Sequence, residues 1–131
     1  MNKLVFQVNR YTARAIGRPS ARSVYKAWLA QENINGPIDD FEVDFHGLES
    51  LTASFIDELL LLIQDNSNIN NLPLLHLVSD DQREWLEDIS GLRDVVIKYR
   101  IDNDPTVFYT KLRKAAKLEA DTMPGGLFQK V

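Results

Sequence analysis

The chain has 131 residues, 44% hydrophobic and 26% charged, with a net charge of −4, a composition that suits one ordinary globular core. The acidic balance excludes nucleic-acid binding by bulk electrostatics. The absence of cysteine excludes disulfides, thiolate metal sites and cysteine nucleophiles.

KLVFQV, Lys3 to Val8, alternates and is rich in branched and aromatic residues, the pattern of a strand. Asn9-Arg10 then offers a turn, and YTARAI, Tyr11 to Ile16, is expected to pair back as a second strand. Gly17 breaks it, and Pro19 suits the first turn of a helix. That helix is expected to carry Val24, Ala27, Trp28 and Gln31 along one face, and NINGP ends it. FEVDF, Phe41 to Phe45, is a second clear strand, with Phe41, Val43 and Phe45 on one face and Glu42 and Asp44 on the other. A helix is expected from about Thr52 to Asn66, followed by the polar loop DNSNINN.

PLLHLV, Pro73 to Val78, reads as a central strand covered on both faces. SDDQREWLEDISGL opens a helix with a capping box from Ser79 and Gln82, buries Trp85, Leu86, Ile89 and Leu92, and ends at Gly91. RDVVIKY is the last expected strand. A final helix is expected from Thr106, with Asp104 as cap, Pro105 at the first position, and Lys111, Arg113, Lys114 and Lys117 on its wet side. The expected architecture is α/β, a mixed sheet of four to five strands with about four helices. Residues 1–121 form one domain in this reading and 122–131 a loose tail. The longest apolar run is Leu59–Ile63, far short of a membrane span, and MNKLVFQVNR lacks a signal-peptide pattern, so a cytoplasmic setting is expected.

Nothing in the pattern of chemistry-bearing residues commits to an enzyme. The glycines are scattered, with neither GxGxxG nor GxxxxGK[ST], and no GxSxG nucleophile elbow occurs. His46 and His76 are the two histidines. The sequence does not bring them together, and a zinc site would need further carboxylates, so they read as strand-end histidines with ordinary hydrogen bonds and no metal or cofactor is expected. Asp57 and Glu58 are adjacent on a helix and point to different faces. The basic residues near the C-terminus stand against an acidic remainder, which marks a solvated helix face and, as an alternative, contact with an acidic partner or a nucleic-acid backbone.

The stretch FEVDFHGLESLTASFIDELLLLI passes from strand to helix through alternating hydroxyls at Ser50, Thr52 and Ser54. A hydroxyl at a helix start caps the first-turn N–H groups, worth about 1 kcal/mol. It is also a position where a phosphate meets the positive end of the helix dipole.

VDFHGLESLTASFIDELLLLI, preceded by IGRPSARSVYKAW and followed by LHLVSDDQREWLEDISGLRDVV, resembles the STAS domain, the sulfate-transporter and anti-sigma-factor-antagonist family, and is closer to a bacterial STAS-like subgroup of unassigned role. The resemblance spans about Lys3 to Tyr99. It implies a STAS-like fold and a non-catalytic regulatory module in bacterial signalling. It further implies docking of a protein partner, typically a serine kinase of the histidine-kinase-like ATPase type, through the loop and helix after the central strand. Ser50, Thr52, Ser54, Asp57 and Glu58 are the expected partner-binding or phosphorylation residues. Thr52 stands where the family has Asp, Ala53 where it has the phosphorylated serine, Ser54 at its second serine and Phe55 at its Gly, so the best-known switch residue does not carry over. The alternatives are a nucleotide-binding protein and a nucleic-acid-contacting component of a phage or defence operon.

Overall fold

The computed structural model describes residues 4–35, 40–66 and 72–110. Four short strands form parallel neighbours: β1 (Leu4–Gln7), β3 (Phe41–Asp44), β5 (Leu74–Leu77) and β6 (Lys98–Ile101). A fifth strand, β7 (Phe108–Tyr109), closes the edge antiparallel to β6, so the sheet is mixed, with order β1-β3-β5-β6-β7. Three helices make the crossovers: α1 (Gly17–Gln31), α2 (Ala53–Asn66) and α3 (Asp81–Arg93). Each parallel strand lies beside the one before it in this series, and right-handed crossovers then stack successive helices along one side of the sheet. Among the described residues no helix is long and apolar enough to cross a membrane.

Side-chain alternation divides the sheet into two faces. Phe6, Val43, Leu75 and Tyr99 lie side by side across four strands and are all buried. The next row, Gln7–Asp44–His76–Arg100, is one residue further along each strand and therefore on the opposite face. It is polar and at least partly exposed. The helices cover the first face. Trp28 of α1 stacks on Phe6 with ring centroids 4.4 Å apart and planes 2° apart, and on Phe41 at 5.2 Å. Truncating such a buried aromatic costs about 3–5 kcal/mol.

Several sequence expectations are corrected here. Residues 11–16 do not pair back on β1: β2 (Arg14–Ala15) runs parallel to β4 (Ser50–Leu51) in a separate two-stranded sheet. A 3₁₀ turn at Val8–Arg10 redirects the chain instead of reversing it as a hairpin. Ala27 and Gln31 are exposed, while Ala21, Val24, Tyr25 and Trp28 form the buried stripe of α1. α2, whose faces were not assigned from the sequence, buries Ile56 and Leu60 with Phe55, Leu59 and Ile63, because α1 packs along its flank. On α3, Leu92 is 70% exposed. Gly91 does not end that helix. It runs two residues further, and Asp94 takes the left-handed conformation (φ 58°) that terminates it. Gln82 does reach back at the start of α3, but its side chain accepts the N–H of Val78 rather than that of Ser79.

No helix starts at Thr106. Asp104 accepts the Thr106 N–H at 2.9 Å as a turn, and the chain continues extended into β7, where Phe108 stacks on Tyr99. A buried relay holds this edge. Ile97 N–H donates to Thr110 Oγ1 (2.8 Å), Thr110 donates to Ser90 Oγ (2.8 Å), and Ser90 donates to the Val95 carbonyl. The expected basic face at 111–117 and the tail at 122–131 lie outside the described residues.

Candidate functional site

The hydroxyl-rich stretch after β3 is a junction between two helix starts. Thr52 precedes α2, and its Oγ1 accepts the Phe55 N–H at 3.3 Å, the bond of an N-cap. The same oxygen accepts the Gly17 N–H of α1 at 3.0 Å. With both lone pairs used, the Thr52 hydroxyl hydrogen is left for Ser54 Oγ, 3.2 Å away. The Thr52 N–H donates to the Ala15 carbonyl, and Ala15 pairs with Leu51. One side chain thus ties the starts of α1 and α2 together through the small β2–β4 sheet. Ile16, between that sheet and α1 in the chain, is 49% exposed, and Ser50 and Ser54 are half-buried.

Asp57 and Glu58 serve the interior of the same region. Asp57 is 3% exposed and accepts two bonds from Arg93 of α3, at 2.9 and 2.6 Å, and one ion pair from Arg18 of α1 at 2.8 Å. The Arg93 guanidinium, seconded by Arg18, holds the Asp57 carboxyl below its usual range in spite of burial. Glu58 pairs with Arg18 at 3.3 Å and Arg22 at 3.1 Å. The two carboxylates therefore clamp all three helices. The side that meets solvent is basic, since the Arg18 and Arg22 side chains are 40% and 56% exposed while those of Asp57 and Glu58 are 5% and 14% exposed. The sequence offered no sign of this, because the three arginines are remote from the acids along the chain.

A second concentration of chemistry lies on the open face at the carboxyl ends of β3 and β5. Asp44 is the last residue of β3, His46 follows two residues on, and His76 is the direct neighbour of Asp44 on β5. Asp44 Oδ1 accepts the His46 backbone N–H at 3.0 Å and meets His46 Nδ1 at 2.8 Å. The two imidazole rings lie 4.4 Å apart, inclined at 62°. The structure thus brings together the histidines that the sequence left apart. The available signal was the D-x-H spacing at a strand end, but the partner on β5 depends on register.

Gly47 makes this turn possible. It has φ +81°, and a Cβ there would come 2.3 Å from Asn9 Nδ2. No family model, curated protein or solved structure matches the chain.

Proposed function

We propose that this chain is a non-catalytic regulatory module of STAS-like architecture that docks a protein partner at the junction of β2, β4 and the first turns of α1 and α2. The observation that carries this reading is the Thr52 bridge between Gly17 and Phe55, which ties two helix starts together next to exposed Ile16. An apolar centre with a polar rim, already ordered before binding, is the anatomy of a protein interface, and preordering lowers the entropy cost of association. The hydroxyls of Ser50 and Ser54 and the guanidinium groups of Arg18 and Arg22 supply that rim. Asp57 and Glu58 contribute by holding those arginines in place rather than by meeting the partner.

The sequential series of strand and crossover helix supports the STAS-like reading of the fold. The resemblance in sequence points to a serine kinase of the ATPase type as partner. Ala53 occupies the position of the family's phosphorylated serine, so Ser54, half-buried in the first turn of α2, is the neighbouring acceptor for a phosphate.

The test is a photo-crosslinkable residue placed at Ile16 in the native host, with the same residue at exposed Leu92 as control. The expected result is a dominant adduct with an ATPase-domain kinase, absent from the Leu92 control and lost when Ser54→Glu is added to the Ile16 probe. Identical adducts from both positions would refute the docking surface.

A further inference from the structure

The polar row across the open face ends in a group of side chains that the docking surface does not use. We propose that Asp44, His46 and His76 bind a first-row divalent cation of the Zn²⁺ class. The backbone places all three. Asp44 and His46 are two apart where β3 leaves the sheet, and His76 is fixed opposite Asp44 by the β3–β5 register. One ligating atom from each of the three lies within 4.8 Å of the others, the spacing of donors around a single ion.

The hydrogen bonds set the direction of each ring. His76 Nε2 meets the Asp102 backbone carbonyl, which only accepts, so that nitrogen carries the hydrogen. The bare lone pair is then on Nδ1, which faces Asp44 Oδ1 at 3.9 Å. His46 Nδ1 lies 2.8 Å from the same Asp44 Oδ1, and its Nε2 lies 3.7 Å from Asp102 Oδ1. The His76 lone pair therefore faces a carboxylate oxygen with no hydrogen between them, and a cation between the two satisfies both. A ring nitrogen anchored by a backbone carbonyl, as His76 Nε2 is, is also the outer support that a histidine ligand requires.

The donor set decides the class of ion. Two imidazoles and a carboxylate suit Zn²⁺, Co²⁺, Ni²⁺ or Fe²⁺, whereas Mg²⁺ and Ca²⁺ take oxygen donors. The Asp44, His46 and His76 side chains are 23%, 34% and 16% exposed, so the group is reachable from solvent. Asp102, its side chain 64% exposed, offers a further carboxylate. Arg100 stands beside His76 in the row, and its field falls on Asp104, whose carboxyl is held low chiefly by Thr106 and in small part by Arg100.

The experiment is calorimetric titration of the untagged, chelator-treated full chain with ZnCl₂, CoCl₂ and MgCl₂, each alone. Zn²⁺ is expected to bind at one equivalent, Co²⁺ to develop visible ligand-field bands, and Mg²⁺ to give no heat. His46→Gln, His76→Gln and Asp44→Asn are each expected to weaken Zn²⁺ binding by at least about 10-fold, with unchanged far-UV circular dichroism, while Glu84→Gln binds as the wild type does. A readout independent of any variant is the ¹⁵N spectrum of the histidine rings: Zn²⁺ should move His76 Nδ1 far more than its Nε2. Absence of Zn²⁺ binding, binding that survives His46→Gln and His76→Gln together (an adventitious ion only), or ring nitrogens unmoved by Zn²⁺ would each overturn the site.

Discussion

Replacing Asp57 by Asn removes one charge from the place where all three helices meet. Asn keeps the shape, so no cavity opens, and the loss is electrostatic. The ion pairing with Arg93 and Arg18 is lost, and the amide oxygen keeps an acceptor for only one of the two Arg93 bonds. Breaking a buried pair from one side costs about 3–5 kcal/mol. The Arg93 and Arg18 side chains are 31% and 40% exposed and recover part of their hydration, which brings the expected cost at pH 7 to about 2–3 kcal/mol. In a domain with a total stability of about 5–15 kcal/mol, that lowers the melting temperature by roughly 10 °C.

The pH dependence separates this cause from a packing defect. Folding lowers the Asp57 pKa from 3.8. Its contribution is therefore complete above about pH 5 and is lost as the pH falls through 3.8 towards the lower folded-state value. The gap between wild type and variant should be widest at neutral pH and narrow steadily in acid. Urea unfolding followed by tryptophan fluorescence reads it directly, since Trp28 is 1% exposed and enters water on unfolding. A gap under about 0.5 kcal/mol at pH 7, within the range of ordinary surface substitutions, would refute the electrostatic reasoning, as would one that does not shrink in acid. A double-mutant cycle with Arg93→Met should show a coupling of about 1 kcal/mol or more.

Thr52→Val leaves the Gly17 and Phe55 N–H groups without their acceptor and should cost about 1–2 kcal/mol in urea titration, with Thr52→Ser recovering most of it. Thr110→Val breaks the relay at its centre and strands the Ile97 N–H, for an expected loss of about 1–3 kcal/mol and faster amide exchange at Ile97. Gly47→Ala forces a side chain into positive φ and against Asn9, so it should cost about 1–2 kcal/mol for the backbone conformation alone, measured by thermal melting. Leu92→Asp should change stability by less than about 0.5 kcal/mol, because that side chain is already in water.

Most of these effects depend on side chains whose partners are distant in the chain. The fold's repeating elements were easier to read. β1, β3 and β5 fall where alternation or a continuous apolar run placed strands, and the three helices begin within a residue or two of Pro19, Thr52 and the SDDQ stretch. These signals are local: a strand shows a period of two, a helix start shows its cap, and neither needs knowledge of the rest of the chain. The end of α3 does not follow its glycine, because the αL position that stops the helix is filled by Asp94.

By itself, then, the sequence determined an α/β layer, the strand-to-helix joint at residues 50–54 and the alternation that sets Asp44 apart from Val43. Tertiary structure decided which elements lie side by side, and with that nearly everything chemical. Parallel pairing of β2 with β4 brought Gly17 to Thr52. Packing of α1 and α3 on α2 turned Asp57 from a surface charge into an internal clamp. The β3–β5 register set His76 opposite Asp44, where a slip of one residue would have sent it to the other face. The reason is range: backbone preference and periodicity are properties of a few consecutive residues, while a charge, a lone pair or a ligand atom acquires its role from neighbours that only folding delivers.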